Sequence, residues 1–135
     1  VLTFSRQIQS ERILRNVIAS YSGDMHDRSD LYRLIEDAFA TRALAYRHLK
    51  TYSTGALPGP EGSIDKLLWS EFFQRLTAFG VRKQGVRGIC QSPDIERYLY
   101  SRGRTIAAGS SEIQRNIIAD RILQLPKEAG EQRRS

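Results

Sequence analysis

The third long segment of the chain limits its fold most. Between Ser63 and Phe79, the residues Ile64, Leu67, Leu68, Phe72, Leu76 and Phe79 fall at helical spacing, and Trp69 and Phe73 widen the stripe. That period lines one face of an α-helix, whereas a strand would need apolar residues at every second position. So broad a stripe needs helical partners, and the rest of the chain supplies the same period. A first helix is expected over roughly Leu2 to Tyr21, with Phe4, Ile8, Ile13, Leu14, Val17 and Ile18 as its apolar positions and Ser22-Gly-Asp as its stop. A second begins at Ser29, a good cap with Asp30 behind it, and runs to about Tyr52. Its buried stripe comprises Leu31, Leu34, Ile35, Ala38, Ala45 and Leu49. Gly55-Ala-Leu-Pro-Gly-Pro-Glu-Gly then forms a rigid loop that no helix crosses, and Ser63 caps the third helix.

Gly80 to Gln91 carries several glycines with little periodicity and is expected to be a loop. Ser92-Pro93 opens a short fourth helix through Tyr98 to about Arg102, because proline suits the first helical position. A fifth helix follows Gly109, which permits a sharp bend and a close approach to the backbone. Ser110 can cap it, and Glu112 sets a negative charge in its first turn. Ile113, Ile117, Ile118, Ile122 and Leu125 recur at helical spacing until Pro126 ends the run, and the tail from Glu128 is polar and expected to fray. No strand pattern, internal repeat or low-complexity tract interrupts this order. The expected fold is all-α, an antiparallel helical bundle.

Composition narrows the function classes. The net charge is +6 and arginine supplies most of it, but the arginines are scattered among Asp and Glu and form no long basic block. The aromatic residues lie at core spacing and make no base-stacking platform, so a nucleic-acid partner is not expected. No apolar run is long enough to span a bilayer and nothing resembles a signal peptide, so no membrane partner is expected either. The single Cys90 cannot form an internal disulfide, which fits a reducing compartment such as the cytoplasm; its default role is packing. His26 and His48 have no Cys, Asp or Glu at ligand spacing, so no metal is expected, and His48 reads as a helix-surface residue. The chain starts at Val1, already in helical pattern, and reads as the C-terminal piece of a longer protein.

The stretch Arg104-Thr-Ile-Ala-Ala-Gly-Ser-Ser-Glu-Ile-Gln-Arg-Asn-Ile-Ile-Ala-Asp-Arg-Ile-Leu-Gln-Leu-Pro closely resembles the C-terminal signature of acyl-CoA dehydrogenases. That signature reads roughly Tyr-Glu-Gly-Thr-Ser-Glu/Gln-Ile-Gln-Arg before an apolar helix. Gly109, Ser111, Glu112, Ile113, Gln114 and Arg115 match it in order, and Ser110 stands where threonine is usual. Pro58-Gly-Pro-Glu-Gly-Ser-Ile-Asp-Lys-Leu-Leu-Trp-Ser is similar to the Pro-Gly-Pro-Glu-x-Ser-x-x-Lys-Leu segment of bacterial, especially actinobacterial, members. The resemblance implies the family's C-terminal helical bundle over residues 1–127 and a polar tail over 128–135. It also implies N-terminal helical and middle β-domains that this chain lacks.

What the family does gives the expected chemistry. A carboxylate removes the α-proton of an acyl-CoA thioester while FAD takes a hydride from the β-carbon. Ala108 stands where many members carry that carboxylate. Members of the isovaleryl-CoA dehydrogenase type place it on the first helix of the bundle, in a Glu-Arg dipeptide, and this chain has Glu11-Arg12 there. Glu11 is therefore the expected base, set against a plain solvated pair with Arg15 four residues on. The resemblance further implies that the Ala108 N–H, beside Gly109, meets the thioester carbonyl and that Arg12 lines the substrate channel. Ser110 and Glu112 would contact FAD, while Gln114 and Arg115 go to packing or subunit contacts. The implied partners are an acyl-CoA, an electron-transfer flavoprotein or similar acceptor, and other subunits in a homo- or hetero-oligomer, dimer or tetramer. Two family features are missing: the Arg-x-x-Phe-Gly segment after the first helix and the Gly-Gly-x-Gly turn before the fourth. Their absence favours a divergent member and keeps open a catalytically silent subunit of a heteromeric enzyme.

Overall fold

The computed structural model describes residues 2–22, 25–55, 57 and 59–126, and at 2, 3, 25 and 26 the backbone alone. The Gly23-Asp24 stop, Pro58 and the tail from Glu128 lie outside the described residues. The chain forms α1 (Leu2–Ala19), α2 (Met25–Ser53), α3 (Gly62–Lys83), α4 (Pro93–Arg104) and α5 (Ser111–Ile117). A 3-10 turn, Gly85–Ile89, precedes α4, and a π-helical turn, Ile118–Ile122, continues α5. Among the described residues there is no strand, so the expected all-α bundle stands.

The broad stripe on α3 makes it the axis of the molecule, packed against α1, α2, α4 and α5. Phe72, Leu76 and Phe79 are buried against Leu14 of α1 and Leu31, Leu34 and Ala38 of α2. The next face of α3 carries Trp69 and Phe73, stacked with centroids 5.3 Å apart. Buried hydroxyls join it to the neighbouring helices: Trp69 Nε1 donates to Ser10 Oγ of α1 at 3.1 Å, and Thr77 Oγ1 lies 3.0 Å from Ser101 Oγ of α4.

Several expected boundaries move, each for a local reason. α2 starts at Met25, a turn before Ser29. Its early acids meet the basic end of α3, with Asp27 2.5 Å from Lys83 and Asp30 2.7 Å from Arg82. Opposite charges there also suit the two helix dipoles. Ser63 is not the cap of α3 but lies buried inside its first turn. Glu61 takes the cap position, and its carboxylate accepts the Gly59 N–H at 2.9 Å instead of capping. The expected loop from Gly80 is helical as far as Lys83, then 3-10. A side chain at Gly88 would strike the Val81 carbonyl, so a glycine lets the chain fold back onto α3. α4 opens at Ser92-Pro93 as expected, and Ser92 caps it, its Oγ accepting the Ile95 N–H at 3.3 Å.

Periodicity misjudged some coverage. Ile8 and Leu49 are about half exposed, at 51% each, while the neighbouring Gln7, Ser10 and His48 are buried. His48 is thus no surface residue: its Nδ1 lies 2.5 Å from Asp65 Oδ2 on α3. Cys90 is exposed rather than packed. No described helix is long and apolar enough to cross a membrane.

Candidate functional site

The turn between α4 and α5 sets two successive residues in the left-handed region, Ala108 at φ 58° and Gly109 at φ 96°. An alanine held there costs about 1–2 kcal/mol, so surrounding contacts must impose the conformation. Three side chains supply them. Gln114, buried on α5, turns back and donates through Nε2 to the Ala108 carbonyl at 3.0 Å. Lys66 of α3 donates to the Gly109 carbonyl at 2.6 Å and to that of Thr105 at 3.2 Å. Arg115 reaches Glu71 of α3 at 2.5 Å and ties α5 to the same helix. A Cβ at 109 would also stand 2.5 Å from Gln114 Nε2, so a larger residue there would displace the amide that holds the Ala108 carbonyl.

The turn leads straight into the cap. Ser110 Oγ accepts the Ile113 N–H at 3.4 Å. Glu112 is fully exposed, and its carboxyl is held below the ordinary value chiefly by the Ser110 hydroxyl, then by its own N–H, with Arg115 and Lys66 adding to the effect. Ala108, Gly109, Ser110 and Glu112 therefore form one cluster. The apolar face expected on this helix is only partly docked: Ile117, Ile118 and Ile122 are partly buried, whereas Ile113 and Leu125 are about half exposed.

Glu11 and Arg12 leave α1 in different directions. The half-buried carboxylate of Glu11 accepts the amide of Gln7 and lies 3.8 Å from Arg42 of α2. Its pairing is thus with Arg42 rather than Arg15. Arg12 lines a cavity of about 410 Å³ between α1, α3 and α4, with Asn16, Lys83, Asp94 and Arg97. The link from α1 to the turn runs through α3. Ser10 holds Trp69, Lys66 lies three residues before Trp69, and the Arg104 guanidinium sits 5.6 Å from the Trp69 ring centre.

By sequence alone Lys66 has no role, Gln114 goes to packing or subunit contacts and His48 lies on the surface, so the hold on the turn and the His48–Asp65 pair come from the structure. Lys66 and Gln114 stand inside the two matched segments, which was the available signal. Burial pushes the Asp65 carboxyl up, while contact with His48, and then Arg47, pulls the other way. Among the described residues no group of His, Cys, Asp and Glu could hold a metal ion.

The family described as acyl-CoA dehydrogenase, C-terminal domain, matches residues 24–123. The chain is 34% identical over 135 residues to the acyl-CoA dehydrogenase IpdE1 of Mycolicibacterium smegmatis, an alignment covering 95% of this chain and 34% of that protein. It is 34% identical over 108 residues to IpdE1 of Mycobacterium tuberculosis, covering 71% and 28%. It is 28% identical over 114 residues to the acyl-CoA dehydrogenase FadE34 of Mycobacterium tuberculosis, covering 84% and 16%. No solved structure matches the chain significantly. The chain belongs to the acyl-CoA dehydrogenase family and carries its C-terminal helical domain. It spans at most about a third of the length of these curated relatives.

Proposed function

We propose that this chain is the C-terminal bundle of a flavin-dependent acyl-CoA dehydrogenase, with Glu11 as the base that removes the α-proton. The family match over residues 24–123, which includes the whole turn and its helix, supports the dehydrogenase part of this reading, and the Glu11-Arg12 dipeptide on α1 supports the choice of base. The α-proton of a thioester is too weakly acidic for a carboxylate in open water, so charge developing on the carbonyl oxygen needs fixed donors. The main chain at Ala108 and Gly109 can provide such a donor without any side chain, which makes alanine at 108 tolerable. Gln7 holds the Glu11 carboxylate in a set orientation, and Arg12 lines the polar cavity on the opposite side of α1.

FAD is the cofactor implied by family membership, and the acceptors beside the turn suit the hydroxyls of a nucleotide's sugar. Ser110 keeps an acceptor lone pair beyond its cap bond, and the exposed, ionised Glu112 can accept from sugar hydroxyls. When bound, the flavin supplies the hydride acceptor for the β-carbon. The remaining functions belong to the whole protein: N-terminal helical and middle β-domains, an acyl-CoA substrate, an electron-transfer flavoprotein or similar acceptor, and a homo- or hetero-oligomer.

One observation favours a second reading. The Glu11 carboxylate is engaged by Gln7 and stands near Arg42, and position 108 has no carboxylate. A chain held this way would serve as a silent subunit of a heteromeric enzyme. Glu11→Gln in the full-length protein separates the two. Acyl-CoA-dependent reduction of an artificial electron acceptor is expected to fall by about 100-fold to 10 000-fold with unchanged flavin content. Retained turnover would remove Glu11 as the base.

A further inference from the structure

An ammonium drawn partly out of water needs acceptors to replace its hydration. Lys66 is half-buried near the start of α3, and its acceptors are main-chain carbonyls rather than a carboxylate: Gly109 at 2.6 Å and Thr105 at 3.2 Å. These carbonyls bracket the turn, since Thr105 closes α4 and Gly109 precedes the cap of α5. Gln114 takes the carbonyl between them, that of Ala108, at 3.0 Å.

Across a trans peptide, a carbonyl and the N–H of the next residue point in opposite directions. A donor on the Ala108 carbonyl therefore fixes the direction of the Gly109 N–H, and a donor on the Gly109 carbonyl fixes that of Ser110. Released from these donors, Ala108 at φ 58° would return to the right-handed region that alanine prefers. Burial, then the nearby Arg104 guanidinium, lowers the pKa of Lys66, while Glu112 and Glu71 oppose this.

We propose that Lys66 is a positioning residue for the reaction: by gripping the Thr105 and Gly109 carbonyls it clamps both ends of the α4–α5 turn, so that the Ala108 N–H between them stays presented to a thioester carbonyl. This rests on the dehydrogenase reading above and gives α3, so far only scaffold, a part in the chemistry. Lys66 itself touches no reacting atom in this role.

Lys66→Met and Lys66→Arg in the full-length protein test it by hydrogen exchange and by steady-state kinetics with an acyl-CoA and an artificial acceptor. Lys66→Met is expected to speed exchange at amides 106–110 by at least about tenfold, with α1 to α3 unchanged. It is expected to lower kcat per bound flavin by about 10-fold to 100-fold. KM should move by less than about threefold, and Lys66→Arg, which keeps donors, should recover most of the rate. Faster exchange with kcat per flavin intact would reduce Lys66 to a structural staple and overturn the proposal. Unchanged exchange in Lys66→Met would overturn the grip itself. Should Lys66→Met not fold, Lys66→Gln carries the same comparison. An inactive wild-type protein would sink the dehydrogenase reading and the rate effect with it, while the exchange data would still decide whether the grip exists.

Discussion

α3 holds its neighbours in two contrasting ways along its length. Toward its C-terminal half, Phe72, Leu76 and Phe79 meet α1 and α2 through apolar area, and charge pairs at the helix ends only trim the junction. Toward its N-terminal half, Lys66 and Glu71 hold the α4–α5 turn and α5 through individual polar bonds. Apolar burial is strong and nearly indifferent to direction, whereas a hydrogen bond adds little net stability but dictates orientation. One half of α3 therefore keeps the bundle folded, and the other sets the geometry of the candidate site.

That contrast can be broken by substitution. Phe72→Ala, in the apolar half, is expected to cost about 3–5 kcal/mol, read as a lowered denaturant midpoint for the whole protein. A loss confined to α4 and α5 would show that the two halves do not differ as described. In the polar half, Ser110→Ala is expected to cost about 1 kcal/mol, with exchange rising at amides of α5 while α1 to α3 stay protected. An equal rise throughout would join the turn to the global core.

The smallest effect concerns the pH dependence of the junction between α2 and α3. Burial raises the Asp65 carboxyl above 3.8, so folding favours its protonated form. Its contribution is full below the ordinary aspartate value and is lost as pH rises through the raised one. Asp65→Asn removes that titration, so as pH rises from the ordinary aspartate value Tm of the variant should fall less steeply than that of wild type. Parallel Tm profiles would mean that His48 and Arg47 fully cancel the burial.

How much could be seen beforehand differed along the same line. Helical period identified the core positions Leu14, Leu31, Leu34, Phe72, Leu76 and Phe79, because an apolar face must be covered wherever its partners come from. It failed at His48, whose partner Asp65 lies 17 residues away on another helix, and a polar residue reads as exposed until its partner is known. It failed also at Ile8 and Leu49, apolar residues that packing among the described helices leaves about half exposed. Ser29 and Ser63 had cap chemistry, but Asp27 meeting Lys83 and the turn bonds around Pro60 carried each helix past them. Within the candidate site, Gly109 and the Ser110 cap were legible because turn and cap rules are local. The Lys66 grip was not, since its acceptor at Gly109 is 43 residues along the chain.

The sequence by itself determined an all-α bundle, its family, and a bent turn feeding a capped helix, all consequences of short-range spacing and backbone preference. Tertiary structure alone decided which way the α1 carboxylate turns, that His48 is buried, and which carbonyls of the turn are held. Those depend on the meeting of side chains distant in sequence, and such meetings follow from how helices pack rather than from the order of residues within one.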